Sequence, residues 1–122
     1  MVNAITFSGS GEASVLSFGE VELVSPAAGE VRLRHTAIGL NFIDTYHRSG
    51  LYPLPLPSGL GLEGAGVVEA LGEGVTGLKL GERVAYCRGP VGAYSEARNI
   101  AANQLVKLPD HVSDEVAAAS ML

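Results

Sequence analysis

The sequence predicts a mainly β domain, a set of short strands wrapped into a closed or partly closed β-barrel, with a few short helices. Three observations carry this reading. Sixteen glycines and six prolines punctuate the 122 residues too often for a helical protein. Several short runs alternate apolar with polar residues or are saturated with apolar and β-branched ones, the patterns of half-buried and fully buried strands. The breaks between those runs are Gly-rich, as when consecutive strands are joined by tight turns.

In chain order, "AITF" near the start and "LSFGEVEL" (16–23) read as strands. "EVRLRHTA" (30–37) sets Val31, Leu33 and His35 against Arg32, Arg34 and Thr36, the period of a strand with one face inside. "NFIDTYHRSGLYP" (41–53) is the best internal helix candidate, with Asn41, Asp44, Thr45 and Arg48 on one face and Phe42, Ile43 and Tyr46 supplying apolar surface. "GAGVVEALG" (64–72), "ERVAY" (82–86) and "GAYSEARNI" (92–100) read as further strands. A second helix is predicted to begin at Ser113, a good N-cap followed by Asp114 and Glu115 at the positive end of the helix dipole. Its apolar run "VAAASML" carries no capping residue, Gly or Pro, so residues after Leu122 are expected to pack on it.

Composition excludes several classes. A single cysteine, Cys87, rules out an internal disulfide and fits a reducing compartment. A net charge of −5 with scattered Lys and Arg leaves no basic stripe for nucleic acid or anionic lipid. With neither a leader-like N-terminus nor a membrane-spanning run, the expectation is a soluble cytoplasmic protein. Two stretches match G-x-G-x-x-G, Gly59/Gly61/Gly64 and Gly72/Gly74/Gly77. The first follows the Pro-rich "PLPLPS" and precedes a strand; the second lies between two strand-like runs. Neither has the strand-then-helix context of a dinucleotide loop, so both are read as turn glycines. His35, His47, His111 and Cys87 are too far apart to form a local metal motif.

What survives is the cluster from Asn41 to Tyr52. Burying a polar group without a partner costs about 1–3 kcal/mol, so several together call for water or a ligand. Tyr46 and Tyr52 offer flat faces with polar tips, and Asn41 offers amide donors and an acceptor suited to a carboxamide. On these grounds a ligand face and a solvated helix face are both open.

The order N-F-x-D-x-Y-x-R-x-G-x-Y (41–52), then G-x-E-G-A-G-V-V (61–68), then G-E-R-V (81–84) closely resembles the first domain of the quinone oxidoreductases. These form the zeta-crystallin-like, zinc-free branch of the medium-chain dehydrogenase/reductase superfamily, and the resemblance covers essentially the whole chain. It implies a GroES-like barrel of the alcohol-dehydrogenase catalytic-domain type over 1–122. It also implies a Rossmann domain absent from this chain and a cleft between the two for NADPH, with NADH left open, and a small-molecule quinone or enone. A homodimer paired through the absent domain is implied as well. Where zinc-dependent relatives of the superfamily place a metal-binding Cys and His, this sequence has Asn41 and Leu62, so no zinc is expected, and Glu63 is expected to be structural. Asn41, Phe42, Ile43, Asp44, Thr45 and Tyr46 would line the nicotinamide, with Asn41 and Tyr46 fixing its ring and amide and Tyr52 facing the quinone. Asp44 would act by orienting Tyr46 or Arg48. Reduction of α,β-unsaturated carbonyls, or a non-catalytic GroES-like binding module, are the alternatives.

Overall fold

The structure, a computed structural model, describes residues 1–122. Its strands are β1 (Val2–Phe7), β2 (Ser17–Val21), β3 (Glu30–Gly39), β4 (Ser58–Gly59), β5 (Glu63–Leu71), β6 (Arg83–Cys87), β7 (Ala97–Ala101) and β8 (Val106–Lys107). The helices are α1 (Phe42–Ser49) and α2 (Asp114–Ala118). The strands form two antiparallel sheets, β2-β1-β4 and β7-β3-β5-β6-β8, which do not close into a full barrel. The Ile5 N–H donates to the Tyr94 carbonyl at 2.8 Å, and a bridge between Ala4 and Ser95 ties the sheets together. No helix is long and apolar enough to cross a membrane.

The alternation expected in β3 is realised: Val31 and Leu33 are fully buried and Arg34 is exposed. They pack with Val68, Val84, Tyr86, Ala93 and Ile100 in the main core, each large aliphatic side chain worth at most about 1.5–3 kcal/mol of burial. A smaller cluster, Ala65, Ala85, Ala117 and Ala118, seats α2 on the second sheet. Small side chains there let the helix lie close. β3 changes register against β5 between His35 and Ala37. At that point Gly66 faces His35, and a Cβ on it would lie 2.1 Å from the Arg34 carbonyl oxygen. Only glycine lets the two backbones approach so closely beside an irregularity in the ladder.

Two expectations are corrected. The segment 92–100 becomes ladder only from Ala97, because Ala93 and Tyr94 give their N–H groups to Gly61 and Leu60 carbonyls instead of to a neighbouring strand. The final apolar run is not helical to its end: α2 closes at Ala118, and the N–H groups of Met121 and Leu122 turn back to the Glu63 carboxylate at 2.7 and 3.1 Å. The two-residue strands β4 and β8 are too short to leave a periodic signal. Neither glycine motif leads into a helix: Gly59 and Gly64 sit in β4 and β5, and the second set lies in the turn between β5 and β6.

Inside the larger sheet, a polar chain crosses the core. Arg98 donates to the Tyr86 hydroxyl at 3.4 Å and stacks 5.3 Å from its ring centre. That hydroxyl meets His35 Nε2 at 2.8 Å, and His35 Nδ1 donates to the Ser95 carbonyl at 2.8 Å. The carbonyl fixes the proton on Nδ1, so Nε2 accepts from tyrosine. The His35 pKa is lowered from 6.5 to about 4, chiefly by burial, with the Ser95 carbonyl opposing the shift and the Arg98 charge adding to it.

Candidate active site

The opening turn of α1 is built by a capping box between Asn41 and Asp44. The Asp44 carboxylate accepts the Asn41 N–H at 3.1 Å, and the Tyr94 hydroxyl donates to the same oxygen at 2.5 Å. Burial, then the hydrogen bond and charge of Asp44, push the Tyr94 hydroxyl pKa up. The Asn41 side-chain nitrogen donates to Glu63 Oε1 at 2.9 Å, which fixes the plane of the amide. Glu63 is 1% exposed and reaches the chain after α2 through its other oxygen. At the far end Gly50, in the left-handed conformation at φ 87, stops the helix.

The helix sits the opposite way from ordinary amphipathic packing. Asp44 is 2% exposed, whereas Phe42 is 75% exposed. Arg48 also turns to the protein, donating to the Gly11 carbonyl at 3.1 Å while its own carbonyl accepts the Gly11 N–H. Polar groups hold the helix down and aromatic groups face out. Phe42 meets Tyr46 edge-on at 5.4 Å between centroids, and Tyr46 meets Tyr52 at 5.2 Å. Tyr52 is anchored through its N–H to the Tyr46 carbonyl yet remains 50% exposed.

Ile43 and His47, one helical turn apart, open on a concavity of about 620 Å³ with Leu54, Leu62, Arg88 and Val91. His47 is 9% exposed and lies edge-on to Tyr52 at 6.5 Å, so the aromatic ladder and the pocket share a wall. The lining is mostly apolar with a few polar groups, the usual make-up of a small-molecule site. Another concavity, about 540 Å³ between β1 and β3, includes none of the α1 side chains.

The structure brings Phe42, Tyr46 and Tyr52 together in an aromatic row, with half-buried Asn41 at the start of the helix turned to Glu63, Ile43 in the pocket wall and Thr45 bonded to the Phe42 carbonyl. Asp44 is the exception: it is buried under the helix and bonded to Tyr94 and Asn41, not to Tyr46 or Arg48. Sequence reasoning missed Tyr94 and Arg88. Tyr94 lies fifty residues from Asp44 and gives no local signal, whereas a charged residue just after a strand could have drawn attention to Arg88. No three His, Cys, Asp or Glu side chains converge in a metal-binding group. Asn41 donates through its amide nitrogen to Glu63, and Leu62 is a buried alkyl chain.

Comparison with known proteins places this geometry in context. Residues 27–110 match the family described as alcohol dehydrogenase GroES-like domain. A quinone oxidoreductase of Pseudomonas aeruginosa is 56% identical over the whole chain, which covers 38% of that relative. A solved structure of Escherichia coli quinone oxidoreductase complexed with NADPH superposes with a TM-score of 0.95 at 49% identity, over 98% of this chain and 37% of that one. A 2-haloacrylate reductase from a Burkholderia species is 49% identical over 84% of the chain and 32% of the relative. The chain thus spans under two fifths of the length of the relatives it matches.

Proposed function

The chain belongs to the alcohol dehydrogenase GroES-like domain family, and we propose that it is the catalytic domain of an NADPH-dependent, zinc-free quinone reductase whose nucleotide-binding domain lies outside these 122 residues. One observation supports this most strongly: an aromatic row, Phe42–Tyr46–Tyr52, on the helix that begins at the fixed Asn41 amide, shares a wall with a mostly apolar pocket large enough for a single ring. The similarity to quinone oxidoreductases, one of them complexed with NADPH, agrees with it.

In this reading each residue has a physical task. One Asn41 N–H is committed to Glu63, and the other is offered, in a set orientation, to the nicotinamide carboxamide. The outward edges of Phe42 and Tyr46 supply flat apolar contact for a ring. Tyr52 presents its hydroxyl to a quinone oxygen, and Ile43, Leu54 and Leu62 exclude water around the acceptor. When bound, NADPH supplies a hydride from C4 of its nicotinamide, and with a proton from water the quinone becomes the hydroquinone. A quinone is electron-poor enough that the protein's main contribution is orientation, holding the reacting atoms about 3–3.5 Å apart.

The similarity to a 2-haloacrylate reductase supports a second reading, reduction of an activated alkene. NADPH oxidation by the full-length protein, with 1,4-benzoquinone or 2-hexenal as acceptor, separates the two. Turnover of the quinone is expected, with Asn41→Ala and Tyr52→Phe each lowering kcat/KM about tenfold at an unchanged thermal midpoint. Turnover of the alkenal alone would move the assignment to the second reading. Unchanged kinetics in both variants would remove the cluster from the site.

A further inference from the structure

The chain has six arginines, and five have their guanidinium hydrogen-bonded within the protein. Arg32 donates to backbone carbonyls, Arg34 to Glu69, Arg48 to Gly11, Arg83 to Asp114, and Arg98 to Tyr86 and the Pro90 carbonyl. Arg88 alone has no such bond, and none of the three ion pairs includes it. It is exposed and lines the pocket beside α1 together with apolar Ile43, Leu54 and Leu62.

Its backbone is unusual as well. Arg88 is the only non-glycine residue with positive φ, at 70°. An L-residue with a Cβ pays roughly 1–2 kcal/mol for that conformation, and glycine would relieve it. The position is also held from both sides. The Arg88 N–H donates to the Leu62 carbonyl at 2.9 Å, and Arg98 grips the loop just beyond through the Pro90 carbonyl at 2.9 Å. An unpaired cation is thus kept in a strained, anchored position at the edge of an apolar cavity. In the same wall, His47 Nδ1 is buried and has no hydrogen-bond partner within the protein.

We propose that Arg88 is a specificity-determining residue that makes this pocket select acceptors carrying an anionic substituent, a carboxylate or sulfonate, beside the ring or double bond. The reasoning rests on the pocket being the acceptor site, as proposed above. A guanidinium without an internal acid pays no cost of breaking an ion pair when an anion arrives, and its planar fork matches two anionic oxygens. Arg88 is exposed at the pocket mouth, so an incoming anion reaches its charge directly from solvent, and the preference is expected to weaken as salt is raised.

Redox-inert probes of one shape isolate the charge: naphthalene-2-sulfonate and its neutral counterpart naphthalene-2-sulfonamide, titrated by calorimetry or amide NMR. The protein is expected to bind the sulfonate about tenfold more tightly than the sulfonamide. Arg88→Gln should erase that preference and Arg88→Lys should retain most of it, with folding verified by circular dichroism. Equal binding of the two probes by the unmodified protein, or a preference that survives Arg88→Gln, would overturn the proposal. Because neither probe is reduced, these outcomes stand apart from the quinone assay: preference without quinone turnover keeps the anion site and removes the reductase reading, and the converse removes only Arg88's role.

Discussion

Replacing Asp44 with alanine is expected to destabilise the protein by roughly 3 kcal/mol, lowering the thermal midpoint by about 10 °C, and to abolish ligand response along α1. The carboxylate is 2% exposed and accepts from both the Asn41 N–H and the Tyr94 hydroxyl. Its removal leaves two donors without an acceptor and dismantles the N-terminus of the helix that carries Asn41, Phe42 and Tyr46. The controls bracket the cause. Tyr94→Phe deletes one donor together with its bond and should cost only about 1 kcal/mol. Asp44→Asn keeps an acceptor but not the charge and should fall between. A stability loss in Asp44→Ala no larger than that in Tyr94→Phe, measured by urea unfolding, would mean that the carboxylate is not the hub described.

Acid should weaken the fold by about 3 kcal/mol through His35, whose pKa is lowered from 6.5 to about 4, chiefly by burial. As pH falls below 6.5 the unfolded chain takes up a proton on this ring, while the folded chain does not until near 4. The His35 contribution is therefore fully present above pH 6.5, declines through the window between, and changes no further once both states are protonated. The groups facing the ring offer no relief: Tyr86 is a hydroxyl whose own pKa burial raises, and Arg98 is a cation. Urea midpoints at pH 7.5 and 4.5 should fall steeply for the unmodified protein and much less for His35→Gln. An equal fall in both would assign the acid loss to carboxylates elsewhere.

How much was legible depends on the range of the interaction that fixed each feature. The strand of Val31 and Leu33 could be read because alternation is local, and so could α1, whose start and stop at Asn41 and Gly50 are written in adjacent residues. The orientation of α1 could not. Periodicity grouped Asp44 and Arg48 on a polar face, and polar faces usually meet water. Here Tyr94 and the Gly11 carbonyl, both distant in sequence, draw that face inward and turn Phe42 out. The strand expected from Gly92 shortened for a similar reason, since Leu60 and Gly61 capture the N–H groups of Ala93 and Tyr94. The cluster at 41–52 was visible as an excess of polar residues in an apolar chain. Its partner surface, Leu54, Leu62 and Arg88, is assembled only by the fold.

We propose that the segment from Asn41 to Tyr52 is a preformed half-site for a nicotinamide. An amide NMR titration of this chain with millimolar NADPH addresses it directly. Saturable shifts are expected, concentrated at Asn41–Tyr46 and Tyr52 and reduced by Asn41→Ala. Shifts absent from that segment, or scattered evenly over the surface, would contradict it.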